Sequence, residues 1–162
     1  MDDQADGEPL EVRPPDVDDL VRIARALEAA GAHYVLIGGF AVISHGFART
    51  TKDIDLLVDP SPDNMRRIKE ALSILEDNAA ADIEPDDLAR YTVIRVADEV
   101  MVDLLASACG ITWRDAAPNA VHIEVRGQVT IVADPDTLIA TKRTVRPSDA
   151  QDRQFLERLL LE

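Results

Sequence analysis

The sequence predicts an α+β fold, a small mixed sheet flanked by helices. Two observations carry this. Segments of helical and of strand periodicity follow in the order helix, strand, helix, strand, helix, strands, then two helices, with no internal repeat. The 162 residues, 46% of them apolar, suit one domain able to fold without disulfides.

Taken in order, Asp16 reads as the N-cap of a first helix, with Asp18 and Asp19 at its positive end. Val17, Leu20, Ala24 and Leu27 recur at helical spacing until Gly31 stops them. His33–Ile37 is a short apolar strand, Gly38-Gly39 a turn, and Phe40–His45 a short helix ended by Gly46. Asp53–Asp59 is a second strand. Ser61-Pro62 opens a helix whose stripe is Met65, Ile68, Leu72 and Leu75. Residues 77–90 read as loop with a short turn at Pro85, and 107–120 as irregular. Tyr91–Ala97 and Val100–Ala106 form a hairpin around Asp98-Glu99. Val121–Val125 alternates cleanly, and Val129–Val132 returns across Gly127. Asp134-Pro135 starts a helix running to about Val145, and Ser148 with Gln151 fits a capping box for a last helix.

The net charge is −14, from 17 basic and 31 acidic side chains. Residues 1–20 hold eight acids and one base, half of that charge. The expected organisation is an acidic flexible leader over 1–15 and one domain over 16–162. An acidic body repels polyanions, which argues against broad coating of nucleic acid unless Arg143, Arg146, Arg153 and Arg158 form a local stripe. No apolar run approaches the roughly 20 residues of a membrane span, and the acidic start is no signal peptide. A cytoplasmic protein is expected. The single Cys109 excludes an internal disulfide and a multi-cysteine metal site, and is expected as a small buried residue. His45 suits the end of a helix, His33 and His122 lack zinc-like partners, and Trp113 is expected in a core or lid contact.

The chemistry-bearing residues cluster. Asp53 and Asp55 stand two apart in a strand, so both project from one face, roughly 7 Å apart along the chain. Ile54, Leu56 and Val58 alternate onto the other face. Paired anions cost energy without compensation, and magnesium compensates by binding one or two carboxylates plus substrate phosphates. Two solvated aspartates at a strand start are the plain alternative. Gly38-Gly39, between an apolar strand and a helix, lets a backbone approach an anion closely, or simply makes a tight turn. Asp103 interrupts the apolar run Val100–Leu105; it either pairs with an arginine or joins the other carboxylates around a metal.

Leu36–Val58, with Gly38-Gly39 followed by Arg49-x-Thr51-x-Asp53-x-Asp55, resembles the DNA polymerase beta-like nucleotidyltransferase superfamily. Within it, the chain is similar to small bacterial nucleotidyltransferases of the AbiEii-like toxin group. The resemblance covers about residues 17–160. It implies a nucleotidyltransferase-like fold in which Asp53, Asp55 and Asp103 are catalytic and hold Mg2+, with Mn2+ as an alternative. It implies that Gly38, Gly39, Arg49, Thr51 and Lys52 meet a nucleoside triphosphate. Gly39 takes the place of the serine usual in that superfamily's first motif, as in the toxin-like group. A second block, Thr141–Asp152, fits with Lys142, Arg146, Asp149 and Asp152. Lys142, spaced with Leu138 and Val145 on an inward stripe, and Arg146 are further nucleotide-binding candidates. Asp149 and Asp152 are expected to pair with Arg146 and Arg153.

The function expected is Mg-dependent transfer of a nucleoside monophosphate to an acceptor hydroxyl of RNA, protein or a small molecule, with an antitoxin protein as partner. The alternatives are a non-catalytic nucleotide- or metal-binding module of the same fold, and a plain structural protein.

Overall fold

The computed structural model describes residues 12–162; the acidic stretch over 1–11, most of the expected leader, lies outside the described residues. The helices among these are Val17–Ala30 (α1), Gly38–Ser44 (α2), Pro62–Leu72 (α3), Asp87–Arg90 (α4), Trp113–Ala116 (α5), Pro135–Thr141 (α6) and Pro147–Leu160 (α7). The strands are Tyr34–Ile37 (β1), Asp53–Val58 (β2), Val93–Ala97 (β3), Met101–Leu105 (β4), Ser107–Ala108 (β5), Ile111–Thr112 (β6), Val121–Val125 (β7) and Gln128–Val132 (β8). Six strands form one sheet in the order β3-β4-β2-β1-β8-β7, while β5 and β6 pair separately. The sheet is mixed, as expected: β2 runs parallel to β4 and β1 parallel to β8, the remaining pairs being antiparallel.

The most apolar strands lie in the middle. All of β1 is buried, and on β2 Ile54, Leu56 and Val58 are at most 1% exposed. Val102 and Leu104 of β4 continue the same core. Helix α1 packs on α3, and α6 on α7. The expected stripe of α3 is observed, with Met65, Ile68 and Leu72 fully buried and Leu75 buried just beyond the helix. The N-terminus of α1 carries a reciprocal capping box between Asp16 and Asp19. Arg13 donates to Asp19 at 2.6 Å, so the described end of the leader lies against the first turn of α1. Among the described residues, no helix is long and apolar enough to cross a membrane.

Four local expectations are corrected. The helix begun at Pro135 ends at Thr141, not near Val145, and Val145 is fully exposed. Lys142 already leaves helical geometry at φ −113°, ψ 22°, and Pro147 then holds Arg146 extended at φ −70°, ψ 134°. That same proline occupies the first turn of α7, so Ser148 is not a cap; Arg146 is the N-cap residue, without a side-chain hydrogen bond. Residues 107–120 are not irregular. Cys109 and Gly110 both have positive φ, 49° and 81°, and close a two-residue hairpin between β5 and β6. Cys109 is consequently exposed rather than buried. Thr112 and Asp115 then form a capping box that starts α5.

Residues 77–82 are held by one buried carboxylate in the β3–β4 turn. Asp98, 1% exposed, accepts hydrogen bonds from the backbone N–H groups of Asp77, Ala79 and Glu99 at 2.9, 2.8 and 2.7 Å. Asp98→Ala leaves these donors without that acceptor, at a cost of about 3 kcal/mol. Thermal denaturation should show a Tm lower by roughly 6–12 °C, with Asp98→Asn between this variant and the parent protein.

Candidate active site

Strand register brings the aspartates together. Asp53 and Asp55 share a face of β2, and Asp103 of β4 stands directly opposite Asp55 in the parallel ladder. Each of the three offers one carboxylate oxygen, and these oxygens lie within 4.8 Å of one another. Asp103 is buried, while Asp53 and Asp55 are partly exposed to a cleft.

Asp103 pairs with an arginine and also stands among the other carboxylates. It sits in the carboxylate cluster, and it accepts a two-pronged contact from Arg95, Nε to Oδ1 at 2.9 Å and Nη2 to Oδ2 at 3.1 Å. Arg95 stands opposite Asp103 in the β3–β4 hairpin. Sequence reasoning missed Arg95; the expected two-residue turn at Asp98-Glu99 pairs residue 95 with 102, whereas the observed turn takes in Val100 as well and sets Arg95 opposite Asp103.

The cluster lacks positive charge of its own on the β2 side. Burial pushes the Asp55 carboxyl up from its ordinary 3.8 to about 8, and the charges of Asp53 and Asp103 push the same way; Lys142 opposes them. A divalent cation bound among the three would favour the ionised form. Three hard oxygen donors at this spacing fit such an ion.

Gly38 and Gly39 floor the cleft. Gly38 has φ +74°, and a Cβ there would lie 2.2 Å from Asp55 Oδ2. A Cβ on Gly39 would lie 2.6 Å from Thr51 Oγ1 and 2.8 Å from Thr51 Cβ. Helix α2 begins at Gly38 itself, two residues earlier than the expected Phe40, so both glycines belong to its first turn.

The C-terminal helices supply the facing wall. Lys142, 5% exposed, ends α6 and places Nζ 2.9 Å from Asp152 Oδ2 and 3.6 Å from Asp149 Oδ1. Arg49 reaches the same Asp152 oxygen at 2.5 Å. Arg146 pairs with Asp149 at 3.2 Å, as expected. Asp152 does not pair with Arg153, whose guanidinium instead donates to the carbonyls of Lys142 and Thr144. Burial alone would raise the Asp149 carboxyl, yet the Thr144 hydroxyl, Lys142 and Arg146 hold it below the usual carboxylate range.

The candidate nucleotide- and metal-binding residues therefore meet in one place. Gly38, Gly39, Arg49, Thr51, Lys52, Lys142 and Arg146 line a single cleft of about 700 Å³ together with Asp53, Asp55 and Asp103. The others stand elsewhere. His45 Nε2 lies 2.9 Å from the Ala133 carbonyl, and Trp113 stacks on His33 with centroids 5.2 Å apart.

A family model described as the nucleotidyl transferase AbiEii toxin of type IV toxin–antitoxin systems matches residues 19–151. The chain belongs to the AbiEii nucleotidyl transferase toxin family. A search of curated proteins returns no match. The matched span takes in β1, β2, β4 and Lys142–Asp149 of the cleft wall, and Asp152 lies one residue beyond it. It places the protein within the polymerase beta-like superfamily, as a nucleotidyltransferase.

Two outcomes are expected of the cleft. Gly38→Ala forces a side chain onto Asp55 and a strained backbone; it should lower stability by about 1–3 kcal/mol and abolish metal-dependent stabilisation in a thermal-shift assay. Asp55 sets a pH slope. Its folded form keeps a proton up to about 8, whereas the unfolded chain releases it near 3.8, so this group lowers stability as pH rises through that window. In metal-free buffer Asp55→Asn should remove the slope, and its gain in Tm over the parent should be larger at pH 8 than at pH 5.

Proposed function

We propose that this protein is a magnesium-dependent nucleotidyltransferase that moves a nucleoside monophosphate from a nucleoside triphosphate to an acceptor hydroxyl, releasing pyrophosphate. The observation that carries this is the convergence of Asp53, Asp55 and Asp103 to within 4.8 Å beside Gly38 and Gly39. The catalytic unit is the domain over residues 16–162.

Asp53, Asp55 and Asp103 hold Mg2+, for which Mn2+ can substitute. When bound, the ion would supply neutralisation of the charge that develops on the oxygens of an in-line displacement. Gly38 and Gly39 let the backbone approach the triphosphate, with no side chain in the way. Arg49, Lys52, Lys142 and Arg146 face its oxygens, and Thr51 adds a hydroxyl. Asp103 takes the proton of the acceptor hydroxyl. The acceptor oxygen then bonds to the α-phosphorus, and the bond to the pyrophosphate oxygen breaks. Chemistry of this kind needs positioning and charge neutralisation more than covalent help, which suits so small a domain. The acceptor is RNA, a protein or a small molecule. The type IV toxin family implies an antitoxin as the protein's partner.

The test is incubation with each α-labelled nucleoside triphosphate and Mg2+ in cell extract, followed by separation of RNA, protein and small molecules. One acceptor class should gain label, with an equal yield of pyrophosphate. Folded Asp53→Asn, Asp55→Asn and Asp103→Asn variants should each lose transfer by about 10³-fold or more, the equivalent of several kcal/mol. Transfer at the parent rate by folded Asp55→Asn would sink the reading.

A further inference from the structure

Arg95 lines the cleft across from the glycines, on the edge strand β3. Nothing in the sequence motifs marks it. Across three neighbouring strands, Arg95, Asp103 and Asp55 occupy one rung of the sheet. Asp103 thus has a cation on one side and a second carboxylate on the other. Its own side chain is 9% exposed, whereas that of Arg95 is 61% exposed. A guanidinium so accessible is poorly explained as a brace for the core.

The contact is a planar fork on a planar carboxylate, Nε to one oxygen and Nη2 to the other. This geometry fixes the carboxylate's plane as well as its charge, which an ammonium cannot do. The two oxygens of a carboxylate have about four acceptor sites, and the fork uses two. The others remain for a cation or a hydroxyl. Without the fork, Asp103 faces Asp55 with no opposing charge and is free to turn away from it.

We propose that Arg95 is a positioning residue that locks the Asp103 carboxylate toward Asp53 and Asp55, and so sets metal affinity and the chemical step without taking part in nucleotide binding. This rests on the reading of Asp103 given above. Partners that orient metal ligands are commonly worth about 10–100-fold in affinity or activity.

The experiment compares Arg95→Ala, Arg95→Lys and Asp103→Asn in the full chain. Mn2+ binding is followed by the electron paramagnetic resonance signal of the free ion, alongside kcat and nucleotide KM. Arg95→Ala should bind Mn2+ about tenfold more weakly and lose about 10–100-fold in kcat. Its nucleotide KM should stay within about twofold, and its Tm within a few degrees, of the parent. Arg95→Lys should recover only part of the loss, because charge returns without the fork. Parent-like Mn2+ affinity and kcat in Arg95→Ala, with Asp103→Asn defective in both, would overturn the role of Arg95 alone. Parent-like behaviour in Asp103→Asn would overturn the reading of Asp103 itself. Full recovery in Arg95→Lys would show that charge, not orientation, is what Arg95 supplies.

Discussion

Three carboxylates facing one point repel each other, and the sheet holds them there. The parallel pairing of β2 with β4 sets Asp103 opposite Asp55. That register is itself fixed from the other face, where Ile54, Leu56, Val102 and Leu104 are buried. A slip of one residue would turn the aspartates into the core and the apolar set outward. Core packing and site assembly are therefore one constraint. The energy that keeps the anions together comes from burying aliphatic side chains a few ångströms behind them. Burial first, and the charges of Asp53 and Asp103 after it, raise the proton affinity of Asp55.

The opposite wall solves a related problem with different means. Lys142 is nearly inaccessible, and a buried ammonium needs partners. It finds Asp152 and Asp149, both on the first turns of α7, where the positive end of the helix also favours acids. Arg49, on the loop before β2, joins the same Asp152 oxygen. The network ties the C-terminal helices to the loop that precedes the paired aspartates. It also orients two cations along the cleft, where mobile side chains on a surface would be screened and poorly placed.

Much of this was legible in the residues. Strand alternation alone placed Asp53 and Asp55 on one face, and the turn at Gly38 followed from its position between strand and helix. The Asp98-Glu99 hairpin was legible too. What escaped was long in range or decided by a single competing residue. Asp152 and Arg49 are 103 residues apart, and nothing local couples them. The helix from Pro135 stops where Lys142 leaves helical geometry, although the apolar pattern runs on to Val145. The β5–β6 ladder has two residues per strand, too few for a period to register, so the positive φ at Cys109 could not be read. Arg95 escaped by one residue of register: the expected two-residue turn pairs position 95 with 102, and only the inclusion of Val100 in the turn sets Arg95 opposite Asp103.

Gly39 is where sequence and site inform each other most directly. The wider superfamily usually has a serine at this position, and the glycine of the toxin-like group looks at first like a lost hydroxyl. The geometry leaves no room for one. Thr51 fills the space a residue-39 side chain would need, with Oγ1 2.6 Å and Cβ 2.8 Å from where that Cβ would be. Glycine at 39 and threonine at 51 are thus a matched pair: the small residue is required by the large one. A hydroxyl still stands at this spot in the cleft, carried by the loop that precedes β2 rather than by helix α2. The departure from the usual pattern changes which segment delivers the group, and it moves that group onto the same short stretch that carries Arg49 and the two paired aspartates.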